Sequence, residues 1–158
     1  MPKLDLSKLP VRTGSIYPEP YASQMAGRSS LRLGDAGGLT QFGANLVTLQ
    51  PGAKSSLRHW HQHEDEFVMI TKGECTLVQD AGPTLMRAGD CAAFPAGVAD
   101  GHHFINQSGA VAEFLVIGTK AAHEVATYSD VDLRVEITGK TANFTRRDGS
   151  PLDQGEGA

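Results

Sequence analysis

Cysteine is scarce. Cys75 and Cys91 are the only two, set in separate apolar segments without Cys-x-x-Cys spacing. That argues against a disulfide framework and leaves both as buried, inert thiols. Long apolar runs are missing too, with nothing near the roughly 20 residues a membrane-spanning helix needs. The opening Met-Pro-Lys-Leu-Asp-Leu-Ser-Lys-Leu-Pro has no uninterrupted apolar core of the signal-peptide kind, so the expected location is the cytoplasm, with no membrane partner. Positive charge is short as well: the formal net charge is -4, and no basic stripe with interleaved aromatics appears. Nucleic acid is therefore not an expected partner, and small molecules are. No fixed-period repeat, helix-turn-helix pattern or firm helix emerges, although residues 120–125 could form one helical turn.

Turn formers are plentiful. Eighteen glycines and eight prolines in 158 residues exceed the usual glycine share of about 7 %. Many short strands joined by turns follow, hence an all-β barrel or sandwich. A chain of this length buries a sizeable core as a single domain. Residues 1–37, with Pro2, Pro10, Pro18 and Pro20, read as an extended N-terminal arm whose Tyr17 and Tyr21 pack on the barrel wall or a neighbouring subunit. Residues 38–138 read as the barrel. Within it, 41–50 is a strand, and 67–71 and 74–79 form a hairpin turning at Lys72-Gly73. Shorter strands follow at 84–87 and 91–94, then an apolar run at 110–117 interrupted by Glu113, which must be exposed or paired. Residues 131–137 alternate strictly, as an edge strand or dimer contact does. Residues 139–158 read as a polar tail, its last six residues disordered.

The chemistry concentrates in Arg58-His59-Trp60-His61-Gln62-His63-Glu64-Asp65-Glu66-Phe67. Three histidines and three carboxylates fall within eight residues here. In an extended segment His59 and His61 project to one side and Trp60 to the other, where it packs. Glu66 can swing back as a carboxylate ligand, with Val68 and Ile70 on its face walling the site. A solvated loop carries similar clusters, so a fourth ligand elsewhere is decisive. Gly89-Asp90-Cys91-Ala92-Ala93-Phe94-Pro95-Ala96-Gly97 supplies the approach to one, delivering the chain to His102, His103 and Asn106.

Together these stretches resemble the paired signature of the cupin superfamily. The first motif corresponds to Gly52, His59, His61, Glu66 and Gly73, and the second to Gly89, Pro95, Gly97, His102 and Asn106. One extra residue separates Gly52 from His59 and two separate Gly97 from His102, so that Asp100 occupies the usual histidine position. Asn106 follows His102 at the family's spacing and a bulge at Gly101 can absorb the insertion. His102 is thus the fourth ligand, with Asp100 as the alternative.

The resemblance implies a single-domain cupin, a double-stranded β-helix or jelly-roll barrel, and a homodimer paired through edge strands and arms. Its ligands would be His59, His61, Glu66 and His102. Three imidazoles and one carboxylate suit a divalent metal such as Mn, Fe, Ni, Co or Zn, with positions left open for substrate. The Arg-His-Trp-His run followed by glutamate and a Gly-Glu turn is similar to the phosphomannose-isomerase-like branch. That implies a sugar or sugar-phosphate isomerase or epimerase, with His63, His103 or Glu113 as base and Lys54 and Arg58 as phosphate-binding cations. An iron-dependent dioxygenase and a non-catalytic sugar-binding cupin are the alternatives, and Asn106 reads as a turn-stabilising amide.

Overall fold

A computed structural model of the chain describes residues 3–152. Among them thirteen strands follow in order: β1 (Arg12–Thr13), β2 (Arg28–Arg32), β3 (Phe42–Leu49), β4 (His59–His61), β5 (Glu66–Lys72), β6 (Glu74–Gln79), β7 (Gly82–Arg87), β8 (Cys91–Phe94), β9 (His103–Ile105), β10 (Ala112–Thr119), β11 (His123–Tyr128), β12 (Arg134–Thr138) and β13 (Thr141–Thr145). All pair antiparallel, in three sheets ordered β1-β2-β3-β10-β5-β8, β13-β12-β11-β4 and β7-β6-β9. No helix among the described residues is long and apolar enough to cross a membrane.

Alternation along a strand fixes which side chains of the large sheet point inward. Register then sorts them into rows. Val47, Phe114 and Ile70 align across β3, β10 and β5; Asn45, Val116 and Val68 form the next row; Gly43, Gly118 and Glu66 form the third. The first row belongs to the main core, where Leu49, Val68 and Ala112 join it and Cys75, Leu77, Met86 and Phe104 of the three-stranded sheet close it. Leu49, Val68 and Ile70 have no solvent exposure, and burying a side chain of this size contributes about 1.5–3 kcal/mol. A second cluster gathers Met25, Leu57, Ala126, Tyr128, Leu133 and Val135 under the four-stranded sheet, with Tyr17 and Tyr21 of the arm packed on it.

Several expectations change here. Residues 67–79 do not form a hairpin, because β5 pairs with β10 and β8 whereas β6 pairs with β7 and β9. The chain changes sheets at Gly73, whose φ is +69° and whose missing Cβ would sit 2.8 Å from the Val111 carbonyl; only glycine fits. Val68 and Ile70 accordingly enter the core instead of walling the site. Residues 120–125 do not form a helical turn: β11 begins among them at His123 and pairs with both β12 and β4. The arm contributes β2, fully paired with β3, and the polar tail contributes β13 against β12. Cys75 is buried but Cys91, at the start of an edge strand, is exposed. The final six residues, expected to be disordered, lie outside the described residues.

Candidate metal centre and its cavity

Strand β4 is held against β11 with His61 opposite Ala126 and His59 opposite Tyr128. Its alternation puts both imidazoles on the inner side. His59 Nδ1 lies 2.8 Å from the Leu57 carbonyl, which can only accept, so the proton sits on Nδ1 and the lone pair on Nε2. That Nε2 is 3.2 Å from His61 Nε2. Glu66, at the head of β5, brings Oε2 to 3.3 Å from His61 Nε2 and 3.4 Å from His102 Nε2. His102 is placed by two backbone bonds exchanged with His59, at 2.9 and 3.2 Å, and by a face-to-face stack on Phe94 with ring centroids 3.5 Å apart. Gly101 permits this close approach, since a Cβ there would fall 2.0 Å from Ser129 Oγ. Asp100 faces elsewhere: it accepts from Gln79 Nε2 at 3.1 Å and from the Asp80 amide at 2.9 Å.

The electrostatics follow from removing these groups from water. Burial, reinforced by the charges of His61 and His102, pushes the His59 pKa down to about 3, so this ring is a neutral donor. Burial acts in the same direction on His61, but the hydrogen bond and charge of Glu66 outweigh it and raise the group above its ordinary value. Burial raises Glu66, and the close approach and charges of His102, His61 and His59 reverse this, holding it well below the usual carboxylate range. His61 Nδ1 and both ring nitrogens of His102 are buried without a hydrogen-bond partner; the 3.4 Å approach of His102 to Glu66 has ion-pair distance but not hydrogen-bond geometry. A buried imidazole nitrogen without a partner beside a carboxylate, as His102 Nε2 is beside Glu66, is what a divalent cation satisfies. His59, His61 and Glu66 bring ligand atoms within 4.8 Å of one another and could hold such an ion. His102 stands beside them through Glu66.

A second trio, His61, Glu64 and Glu124, shares one histidine with the first. Glu124 is already engaged. Although 1 % exposed, it accepts the amides of Gln62 and Val125 at 2.8 Å and of His63 at 3.0 Å. It thereby clamps the loop between β4 and β5. Glu64 is freer: one oxygen accepts the Ala121 amide at 2.8 Å, the other lies 3.9 Å from His61 Nδ1, and burial raises its pKa.

The centre opens into a cavity of about 740 Å³ between the large sheet and the four-stranded one. Residues 12–17 of the arm form part of its wall, with Arg28, Ser30, Asn45, Glu64 and Tyr128 facing them. Tyr17 meets Tyr128 edge to face at 5.4 Å, and Tyr128 in turn lies 5.9 Å from the His59 ring. Other residues singled out from the sequence are placed outside this lining. His63 is exposed beside His123, with ring centroids 5.8 Å apart. His103 Nδ1 bonds the Ser56 carbonyl at 3.0 Å, and Glu113 pairs with Lys72 at 3.7 Å. Lys54 bonds Gln24 at 3.2 Å, while Arg58 is held by Asp130 and Asp80. The cavity carries Arg28, Glu64, Tyr17 and Tyr128 instead. Little in the sequence marks them, because the polar face of an antiparallel strand ordinarily meets water.

An antiparallel barrel with His-x-His and glutamate on one pair of strands, and a further histidine arriving beside them, defines a cupin. The family model for the Cupin domain matches residues 45–118, and the chain belongs to the cupin superfamily, with its jelly-roll fold. Among solved structures it is similar to a sugar phosphate isomerase from a cupin superfamily of Silicibacter pomeroyi, with 57 % identity over 97 % of this chain and 98 % of that one and a TM-score of 0.95. A proposed sugar phosphate isomerase from Acidithiobacillus ferrooxidans shares 28 % identity over 79 % of this chain and 80 % of that one, with a TM-score of 0.72. The polyketide cyclase RemF from Streptomyces resistomycificus, at 21 % identity over 75 % of this chain and 79 % of that one and a TM-score of 0.60, shares the fold. No curated protein matches the chain.

Proposed function

We propose that the chain is a metal-dependent sugar-phosphate isomerase or epimerase that takes a small molecule as its partner and works as a cytoplasmic homodimer. The observation that carries this is the convergence of ligand atoms of His59, His61 and Glu66 within 4.8 Å of one another on the cavity wall, with the buried, unpartnered His102 Nε2 3.4 Å from Glu66. The cavity volume, about 740 Å³, suits a ligand of sugar-phosphate size. The similarity to two proteins named for this activity supports the same reading. His59, His61, Glu66 and His102 would hold a divalent ion. When bound, such an ion polarises the carbonyl and hydroxyl oxygens of an adjacent pair of carbons.

The rest falls to the chain's own side chains. Glu64 is the base: its pKa is raised by burial, so its carboxylate can take a carbon-bound proton and return it to the neighbouring carbon. The Ala121 amide fixes one oxygen and leaves the other to move the proton. Tyr128 and the arm's Tyr17 shield the centre from water, and Glu124 keeps the ligand loop in place.

The test is metal analysis after purification without added metal, together with deuterium wash-in from heavy water into a panel of aldose and ketose phosphates. A bound divalent ion and exchange at carbon, lost in Glu66→Gln and strongly reduced in Glu64→Gln, is the expected result. Iron with oxygen consumption and no exchange would overturn it in favour of a dioxygenase. A bound metal with sugar affinity but no exchange would leave a binding protein.

A further inference from the structure

Four cationic side chains line the cavity: Arg12, Arg28, Arg32 and Lys120. Arg32 and Lys120 are already neutralised by Asp35, at 3.6 and 2.7 Å. Arg28 differs. It sits at the start of β2, paired with Leu49 of β3, and its Nε is buried with no hydrogen-bond partner. No ion pair to it is formed among the described residues. Arg58 shows what a structurally committed arginine looks like in this molecule: it grips Asp130 through two nitrogens, reaches Asp80, and has its pKa raised by those carboxylates. Burial instead pushes the pKa of Arg28 down. A buried guanidinium nitrogen without a partner is costly, and a fold keeps one where a ligand completes it.

The neighbours specify the ligand's chemistry. Arg28, Ser30 and Arg32 alternate onto one face of β2 and all three line the cavity. A guanidinium fork beside a hydroxyl is a site for a tetrahedral oxyanion, because the planar donors of arginine match two phosphate oxygens at once. Arg28 and the His59–His61–Glu66 centre line the same cavity. We infer that Arg28 is the anion pole of the cavity, receiving the phosphate group of a phosphorylated substrate while the His/Glu centre receives its oxygen-bearing carbons. This rests on the sugar-phosphate reading for the identity of the substrate, though not for the existence of the anion site.

The probe is inorganic phosphate, titrated calorimetrically into the purified, metal-replete protein. Arg28→Met should weaken phosphate binding by roughly tenfold to a hundredfold, the loss of a charged hydrogen-bonding group. Arg28→Lys should recover part of it, and Arg87→Ala, whose exposed side chain pairs with Glu74, should change nothing. Phosphate that binds Arg28→Met as tightly as wild type overturns the inference, since it would then be held elsewhere, for instance at the metal. If Arg28→Met fails to fold, the wild-type Arg28 Nε–H resonance, assigned by its absence in Arg28→Lys, decides: it shifts on phosphate addition if the site is real and stays put if it is not. The two readings also fail separately. An unchanged KM for a turned-over sugar phosphate in Arg28→Met removes the anion pole and keeps the isomerase. Arg28-dependent phosphate binding without exchange of any sugar phosphate keeps the pole and removes the isomerase.

Discussion

The large sheet faces two partners of opposite character. Against β6, β7 and β9 it presents Leu49, Val47, Phe114 and Ile70, packed to almost complete exclusion of water. Against β4, β11 and β12 the same strands, on the same face, present Asn45, Gly43, Gly118 and Glu66. The backbone pairing continues without interruption from one half to the other. What changes is side-chain volume: Gly118 beside Glu66 and Gly43 beyond it leave the space a ligand can fill. The packed half supplies the stability that lets the molecule keep buried imidazole nitrogens without partners.

Breaking the packed half should have the largest effect. Ile70→Ala, at a position with no exposure, should cost about 2–5 kcal/mol in urea unfolding while metal stoichiometry stays at the wild-type level; lost stoichiometry in the folded variant would mean the two halves are not separable. Next comes Glu66→Gln, expected to weaken metal binding by roughly a hundredfold with little change in the melting of chelator-treated protein. Full metal retention on elemental analysis would remove Glu66 from the ligand set. Gly101→Ala tests the junction. Overpacking against Ser129 should cost about 1–3 kcal/mol and displace His102, and adding Ser129→Gly should restore both stability and metal content; an unaffected single variant would contradict the close approach.

A pH titration of metal affinity sharpens the contrast further. The pKa of His61 is raised, so protons compete for its nitrogen as pH falls through that raised value. Affinity should drop by about tenfold per pH unit below it and level off above. His59, held near 3, stays neutral across this range and adds no slope. A flat profile would exclude His61 as a ligand. The smallest effect belongs to the surface: Lys72→Ala removes an exposed pairing with Glu113 and should change stability by less than about 1 kcal/mol, as thermal melting would show.

The cluster of His59, His61 and Glu66 was readable because its residues are chemically conspicuous: period-two alternation puts His59 and His61 on one side, and the turn after them brings Glu66 back. An all-β barrel or sandwich was readable from the number of glycines and prolines, and the resemblance of the two histidine motifs narrowed it to the jelly-roll barrel. The switch of sheets at Gly73 was not, since a glycine after a strand reads equally as a hairpin turn, and only the Val111 carbonyl pressing on it tells the two apart. Strand β11 was missed because His123-Glu124 breaks the apolar pattern. The break has a local cause: Glu124 turns inward to collect three amides of its own and neighbouring segments. Arg28 was invisible for a different reason, because an arginine at the head of a polar strand looks like any solvated residue until the opposite wall is in place.

That wall begins very early in the chain. Residues 12–16 belong to neither apolar cluster, yet they bound the chamber. A protein clipped after Ile16 would therefore lose the two-residue β1 pairing but no side chain of either apolar cluster, while its pocket stood open on one side. The amino end is where a protease or a fused tag would open the chamber while both apolar clusters stay whole.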